Sequence, residues 1–158
     1  MSMFREALGN LGYVLPPCAT SVGRYAGHRV AGDQFWCVQG PLIGDDLAHQ
    51  GIVGDDLTLE DAKAASRQVA LNILAQLDHA CAGDMDRVVA IIRLGGYINS
   101  AVGFTKHSEV MNVASDIFLD LFGDRGQHAR FVTGCSSMPY NLSVEIEAVA
   151  LLDQRDRR

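Results

Sequence analysis

An α+β domain of order β-β-α-β-α-β-β, with two helices on one face of a single sheet, is what this sequence predicts, and three observations carry the expectation. Two segments repeat apolar residues at helical spacing, several shorter runs are β-branched or alternating, and 158 residues is the length of one compact domain. The whole chain, 1–158, is therefore read as a single domain, with residues 1–15 as an N-terminal extension and 153–158 as a polar tail. A composition of 48% hydrophobic and 20% charged residues excludes intrinsic disorder.

The segment from Arg29 to Gln39 reads as a hairpin, because apolar-rich runs flank Gly32-Asp33, a pair suited to a tight turn. Gly40 to Asp56 is rich in glycine and holds the acid pairs Asp45-Asp46 and Asp55-Asp56, which reads as a solvated loop; the twelve-residue calcium pattern is absent. Thr58 followed by Asp61 signals a helix start, and Ala62, Ala65, Val69, Ile73 and Leu77 continue it at spacings of three and four. Val88 to Leu94 is β-branched and short, a third strand. Val110, Val113, Ala114, Ile117, Phe118 and Leu121 then make one complete apolar helix face, which Gly123 terminates. Two strands follow, His128 to Ser136 and Ser143 to Leu152, and the intervening Met138-Pro139-Tyr140-Asn141-Leu142 reads as the turn of a hairpin.

Thirteen Lys and Arg stand against 19 Asp and Glu, a net charge of −6, and the only basic concentration is Arg155-Asp156-Arg157-Arg158 at the end. Such a surface repels phosphate backbones, so nucleic acid is disfavoured as a partner. No run approaches the roughly 18 apolar residues that span a bilayer, and the opening Met1 to Glu6 carries neither a basic leader nor an apolar core. A soluble, cytoplasmic protein without a membrane partner is expected. Cys18, Cys37, Cys81 and Cys135 lack metal-ligand spacing and read as buried thiols, while the histidines are scattered and receive no role.

The last strand places Glu145 and Glu147 on a face with Val149 and Leu151, and Val144, Ile146 and Ala148 on the other. Neither face is simply solvent, so the one without helices is expected to meet a second subunit. Arg130 stands in a strand of otherwise small or apolar residues. Its guanidinium needs an anion, either Glu145 or Glu147 within the chain or the carboxylate of a substrate. A hairpin centred near Pro139 and Tyr140 would pair Arg130 near Val149, leaving Glu145 about 13 Å along the sheet. Residue chemistry alone favours the salt bridge, but that placement gives Arg130 no partner within its own chain and brings a pocket between chains level with it.

The sequence resembles the reactive-intermediate deaminase (Rid, or YjgF-type) family, also called endoribonuclease L-PSP, and specifically its longer branch. The matching elements run from Val22-Gly23-Arg24-Tyr25 through Gln39-Gly40-Pro41, Ala70-Leu71-Asn72, Asn99-Ser100 and Gly103-Phe104 to Asn112 and Ala114-Ser115-Asp116. They end at His128-Ala129-Arg130 and Val144-Glu145-Ile146-Glu147-Ala148. The resemblance implies a chorismate-mutase-like fold in a homotrimer with pockets between subunits. It implies hydrolysis of 2-imino or 2-enamino acids to 2-keto acid and ammonia without metal or organic cofactor. Arg130 and Glu145 would be catalytic, with Tyr25, Asn112 and Arg130 binding substrate. Two positions depart from the family pattern: Cys37-Val38 stands where Ser-Gly is common, and Val132 where the shorter members carry Cys. A non-catalytic trimer that binds a small carboxylate metabolite is the alternative, and an endoribonuclease is third.

Overall fold

The computed structural model describes residues 3–154. In chain order its elements are α1 (Met3–Asn10), β1 (His28–Ala31), β2 (Gln34–Gln39), β3 (Leu42–Ile43), β4 (Asp46–Leu47), α2 (Leu59–Ala80), β5 (Val88–Asn99), α3 (His107–Phe122), β6 (Ala129–Cys135) and β7 (Val144–Leu152). The expected succession of five strands and two helices is present. To it the structure adds α1, whose Phe4 and Leu8 are buried with the core and whose Phe4 ring stacks 5.8 Å from that of Phe122. It also adds a two-stranded β3–β4 ribbon inside the loop expected over 40–56. The terminal arginines lie outside the described residues.

Thr58 starts α2 as its spacing to Asp61 requires. Its hydroxyl accepts from the Asp61 N–H at 3.2 Å, and the Asp61 carboxylate accepts from the Thr58 N–H at 2.8 Å. Thr58→Ala is expected to cost about 1 kcal/mol, read as a lower urea midpoint at unchanged slope. The apolar stripes of α2 and α3 pack on the same face of the sheet, with Ile73, Leu74, Val110, Phe118 and the strand residues Leu94, Ile98 and Ile146 fully buried between them.

The sheet order is β1-β2-β7-β5-β6, and it corrects the expectation for the C-terminal strands. β6 and β7 are not a hairpin: β6 pairs in parallel with β5, and β7 lies between β2 and β5, antiparallel to both. Arg130 is opposite Leu94 and not Val149. The turn-like composition of 138–142 marks a real reversal, with Tyr140 and Asn141 both at positive φ, 56° and 55°, but the chain returns one strand further in.

β5 runs on to Asn99, past the expected end at Leu94, because Gly95 and Gly96 are strand residues here. A Cβ on Gly95 would overlap the Phe131 ring, and one on Gly96 would overlap the Met111 side chain of α3. Their job is close approach, not chain reversal. The thiols are also partly corrected: Cys37 and Cys81 are buried, but Cys18 is exposed and Cys135 only half-buried. Cys18 lies in the loop before β1, and Cys135 ends edge strand β6 on the face the helices do not cover.

Candidate functional site

Two local structures carry the four residues singled out in the sequence, and a single chain does not bring them together. Cα partners Arg130, Leu94 and Ala148 form one row across β6, β5 and β7, whereas Thr133, Tyr97 and Glu145 form another. Leu94 and Ala148 are buried under the helices, while Tyr97 is 39% exposed. Arg130 therefore projects on the helix side of the sheet, and Glu145 on the open side.

Arg130 and Asn112 do meet. The guanidinium Nη1 donates to Asn112 Oδ1 at 2.9 Å and to Ser115 Oγ at 3.1 Å. Asn112 and Ser115 are one turn apart on α3, so they share a face. The expectation that Arg130 lacks a partner in its own chain is thus corrected, but the partners are neutral and its charge is not met by Glu145 or Glu147. Glu147 pairs with Arg93 instead, at 3.5 Å, and Arg93 lies 4.8 Å from the Phe131 ring centroid.

Tyr25 and Glu145 line one cleft, together with Val38, Gln39, Leu47 and Leu142. Gln39, buried at the end of β2, donates to Gly27 O at 3.3 Å and so fixes the loop that presents Tyr25. On the other side Asn72 of α2 donates to Gly40 O at 3.0 Å and Leu42 O at 2.9 Å, which fastens the segment leaving β2. Burial pushes the Glu145 carboxyl up, the direction that suits a general base or acid. Val38 is 47% exposed in this cleft, where a glycine would leave open backbone.

Cys135 lies on the same open face, and burial followed by the charge of Glu145 pushes its thiol up. A thiol in that environment is a poor nucleophile. Among the described residues, no group of three or more His, Cys, Asp or Glu side chains could hold a metal ion, and no helix is long and apolar enough to cross a membrane.

Sequence reasoning passed over Ser115 and His128. Ser115 stands inside the apolar helix pattern, where a small polar residue gives no periodic signal, although it belongs to the Ala114-Ser115-Asp116 element that resembles the family. His128 belongs to the marked His128-Ala129-Arg130 element and opens the strand expected over His128 to Ser136, but a lone histidine carries no signal of a role.

The order of elements and these two clusters can be set beside known proteins. A family model described as "YjgF/chorismate_mutase-like, putative endoribonuclease" matches residues 6–152. The chain belongs to the YjgF/chorismate mutase-like family. Among curated relatives, Protein TCP17 of Trypanosoma cruzi is 36% identical over 149 residues, which is 92% of each chain. A Shewanella oneidensis crystal structure, described as an endoribonuclease of the same provisional kind, is 32% identical, covering 96% of this chain and all of its own, with a TM-score of 0.89. An Agrobacterium tumefaciens protein of unknown function is also 32% identical, at a TM-score of 0.87, over 95% of this chain and 92% of its own. The YjgF-type mixed sheet with its helices is thus shared with relatives of full length.

Proposed function

We propose that this YjgF-family chain is a cytoplasmic homotrimer that hydrolyses reactive 2-imino and 2-enamino acids to 2-keto acid and ammonia. The observation that carries the reading is the half-used guanidinium of Arg130. Its Nη1 is spent on Asn112 and Ser115, and none of the hydrogen bonds among the described residues uses its Nε and Nη2, which form the edge that grips a carboxylate side-on.

Arg130 and Glu145 face opposite sides of one sheet, so a shared pocket needs a second copy to bring a Glu145 cleft to an Arg130 edge. The helix-free face suits such a contact, because Trp36, Val38 and Tyr97 leave apolar surface on it. In the pocket the arginine fork fixes the substrate carboxylate and so orients C2 of the imine. Glu145 accepts a proton from water as the water oxygen bonds to C2 and passes it to the imine nitrogen, giving a carbinolamine. It then takes the hydroxyl proton as C=O forms and hands it to the nitrogen as the C–N bond breaks, so both water hydrogens leave on ammonia and the other product is the 2-keto acid. No metal or organic cofactor takes part in these steps.

The test generates 2-imino acids with an amino-acid oxidase and follows their loss against semicarbazide trapping. Wild type is expected to accelerate it; light scattering is expected to give a trimer of the 17.1 kDa chain. A monomer at micromolar concentration would remove the shared pocket. Val38 in the cleft favours a second reading, a trimer that binds a small carboxylate metabolite without turning it over. A carboxylate seated on Arg130 in a protein that leaves every imino acid untouched would establish it. Endoribonuclease activity stands third, since a net charge of −6 opposes a phosphate backbone.

A further inference from the structure

We propose that His128 is a positioning residue for the carboxylate-binding arginine and acts through Ser115; this rests on the reading of Arg130 given above. Four groups form a chain of hydrogen bonds whose directions are fixed by their chemistry when the His128 ring is neutral. His128 Nδ1 is 2.7 Å from the carbonyl oxygen of Gly126, which can only accept, so Nδ1 carries a hydrogen. At the far end the Arg130 guanidinium can only donate, so Ser115 Oγ accepts from it at 3.1 Å. Between them, His128 Nε2 is 3.0 Å from Ser115 Oγ.

The hydroxyl hydrogen of Ser115 then has one destination. Ser115 is 7% exposed, and His128 Nε2 holds a free lone pair when Nδ1 holds the hydrogen. The Gly126 carbonyl thus selects the ring tautomer, the ring turns the hydroxyl, and the hydroxyl turns its lone pair to Arg130. Asn112 Oδ1 takes the second Nη1 hydrogen at 2.9 Å. With both Nη1 hydrogens held by α3, the plane of the guanidinium is set and its Nε–Nη2 edge is the one offered to a carboxylate. Arg130 itself is exposed, and among the described residues these are the hydrogen bonds that restrain a long side chain with several rotamers to lose on binding.

A carboxylate held equally in the bound and transition states affects KM and not kcat. His128→Leu is therefore expected to raise KM for a 2-imino acid about fivefold to tenfold, with kcat held within about twofold. His128→Gln, whose amide oxygen supplies an acceptor in place of Nε2, is expected to recover most of the loss. In a Ser115→Ala background His128→Leu is expected to add nothing, because the intermediary is already gone. Effects that multiply in the double variant, or a Gln variant as poor as Leu, would overturn the proposal. A readout free of catalysis is the long-range proton–nitrogen spectrum of the unliganded wild type at pH 8. It should show His128 protonated on Nδ1 and bare on Nε2, with the Nε2 resonance shifting in Ser115→Ala. A ring protonated on Nε2, alone or with Nδ1, overturns the proposal whatever the kinetics. If wild type neither hydrolyses imines nor binds a 2-keto acid such as pyruvate, the functional reading falls separately, and the ring tautomer alone decides whether the relay exists.

Discussion

Arg130→Lys is expected to lower kcat/KM for 2-imino acids by about 30- to 100-fold, a loss of about 2 to 3 kcal/mol. The geometry explains why a retained positive charge does not suffice. Nη1 is occupied by Asn112 and Ser115 of α3, and the planar guanidinium leaves a second, parallel pair of donors for the carboxylate. An ammonium has its three donors on one atom and cannot reach both α3 and a ligand as a fork. Steady-state kinetics on wild type and variant, with thermal unfolding to establish that both fold alike, checks it. Equal kcat/KM in the two proteins would reduce Arg130 to a structural residue.

Glu145→Gln is expected to lower kcat by about 100-fold or more, since the amide can neither take a proton from water nor return it to the departing nitrogen. The same variant carries a pH signature in stability. Burial raises the Glu145 pKa, so the folded protein holds this proton at a pH where the unfolded chain has released it. Ionisation then costs the folded state, and the cost grows as pH rises from the ordinary carboxylate range through the raised value. Glutamine never ionises. The variant should match wild type in urea unfolding near pH 4 and exceed it at pH 7.5, the exchange of stability for function expected of a working carboxylate. A variant less stable than wild type at pH 7.5 would show that the carboxylate is an anchor and not a burden.

How far the sequence disclosed this site depends on the distance over which each signal acts. The face of α3 was legible from Val110 to Leu121, because a helix reports its own burial within a few turns. Thr58 and Asp61 were legible for the same reason. Arg130, Glu145, Tyr25 and Asn112 could be picked out singly, by residue type and by the family elements around them, yet their grouping could not. Whether Arg130 faces Val149 or Leu94 depends on which strands are neighbours, and a reversal at 138–142 looks the same whether the chain returns to the adjacent strand or to the next one. The third strand was legible only as far as Leu94, because the two glycines that follow, which let Phe131 and Met111 approach the sheet, carry no β signal of their own. Ser115 and His128 gain meaning only once α3 and β6 are side by side.

The position of β7 bears on how the molecule comes into being. The strand that joins β2 to β5 is the last in chain order, ending at Leu152. Until it is made, β1–β2 and β5–β6 are two ribbons with facing, unsatisfied edges, and the mixed sheet has no middle. Helices α2 and α3 can form and pair early, but their apolar faces have only half a floor. The nascent chain therefore passes through a stage with two open strand edges, the kind of surface that recruits another chain. A stop codon at position 144 would remove only residues 144–158 and leave most of the mass of the protein and none of its sheet's continuity, so even late truncation should lead to aggregation rather than to a weakened fold.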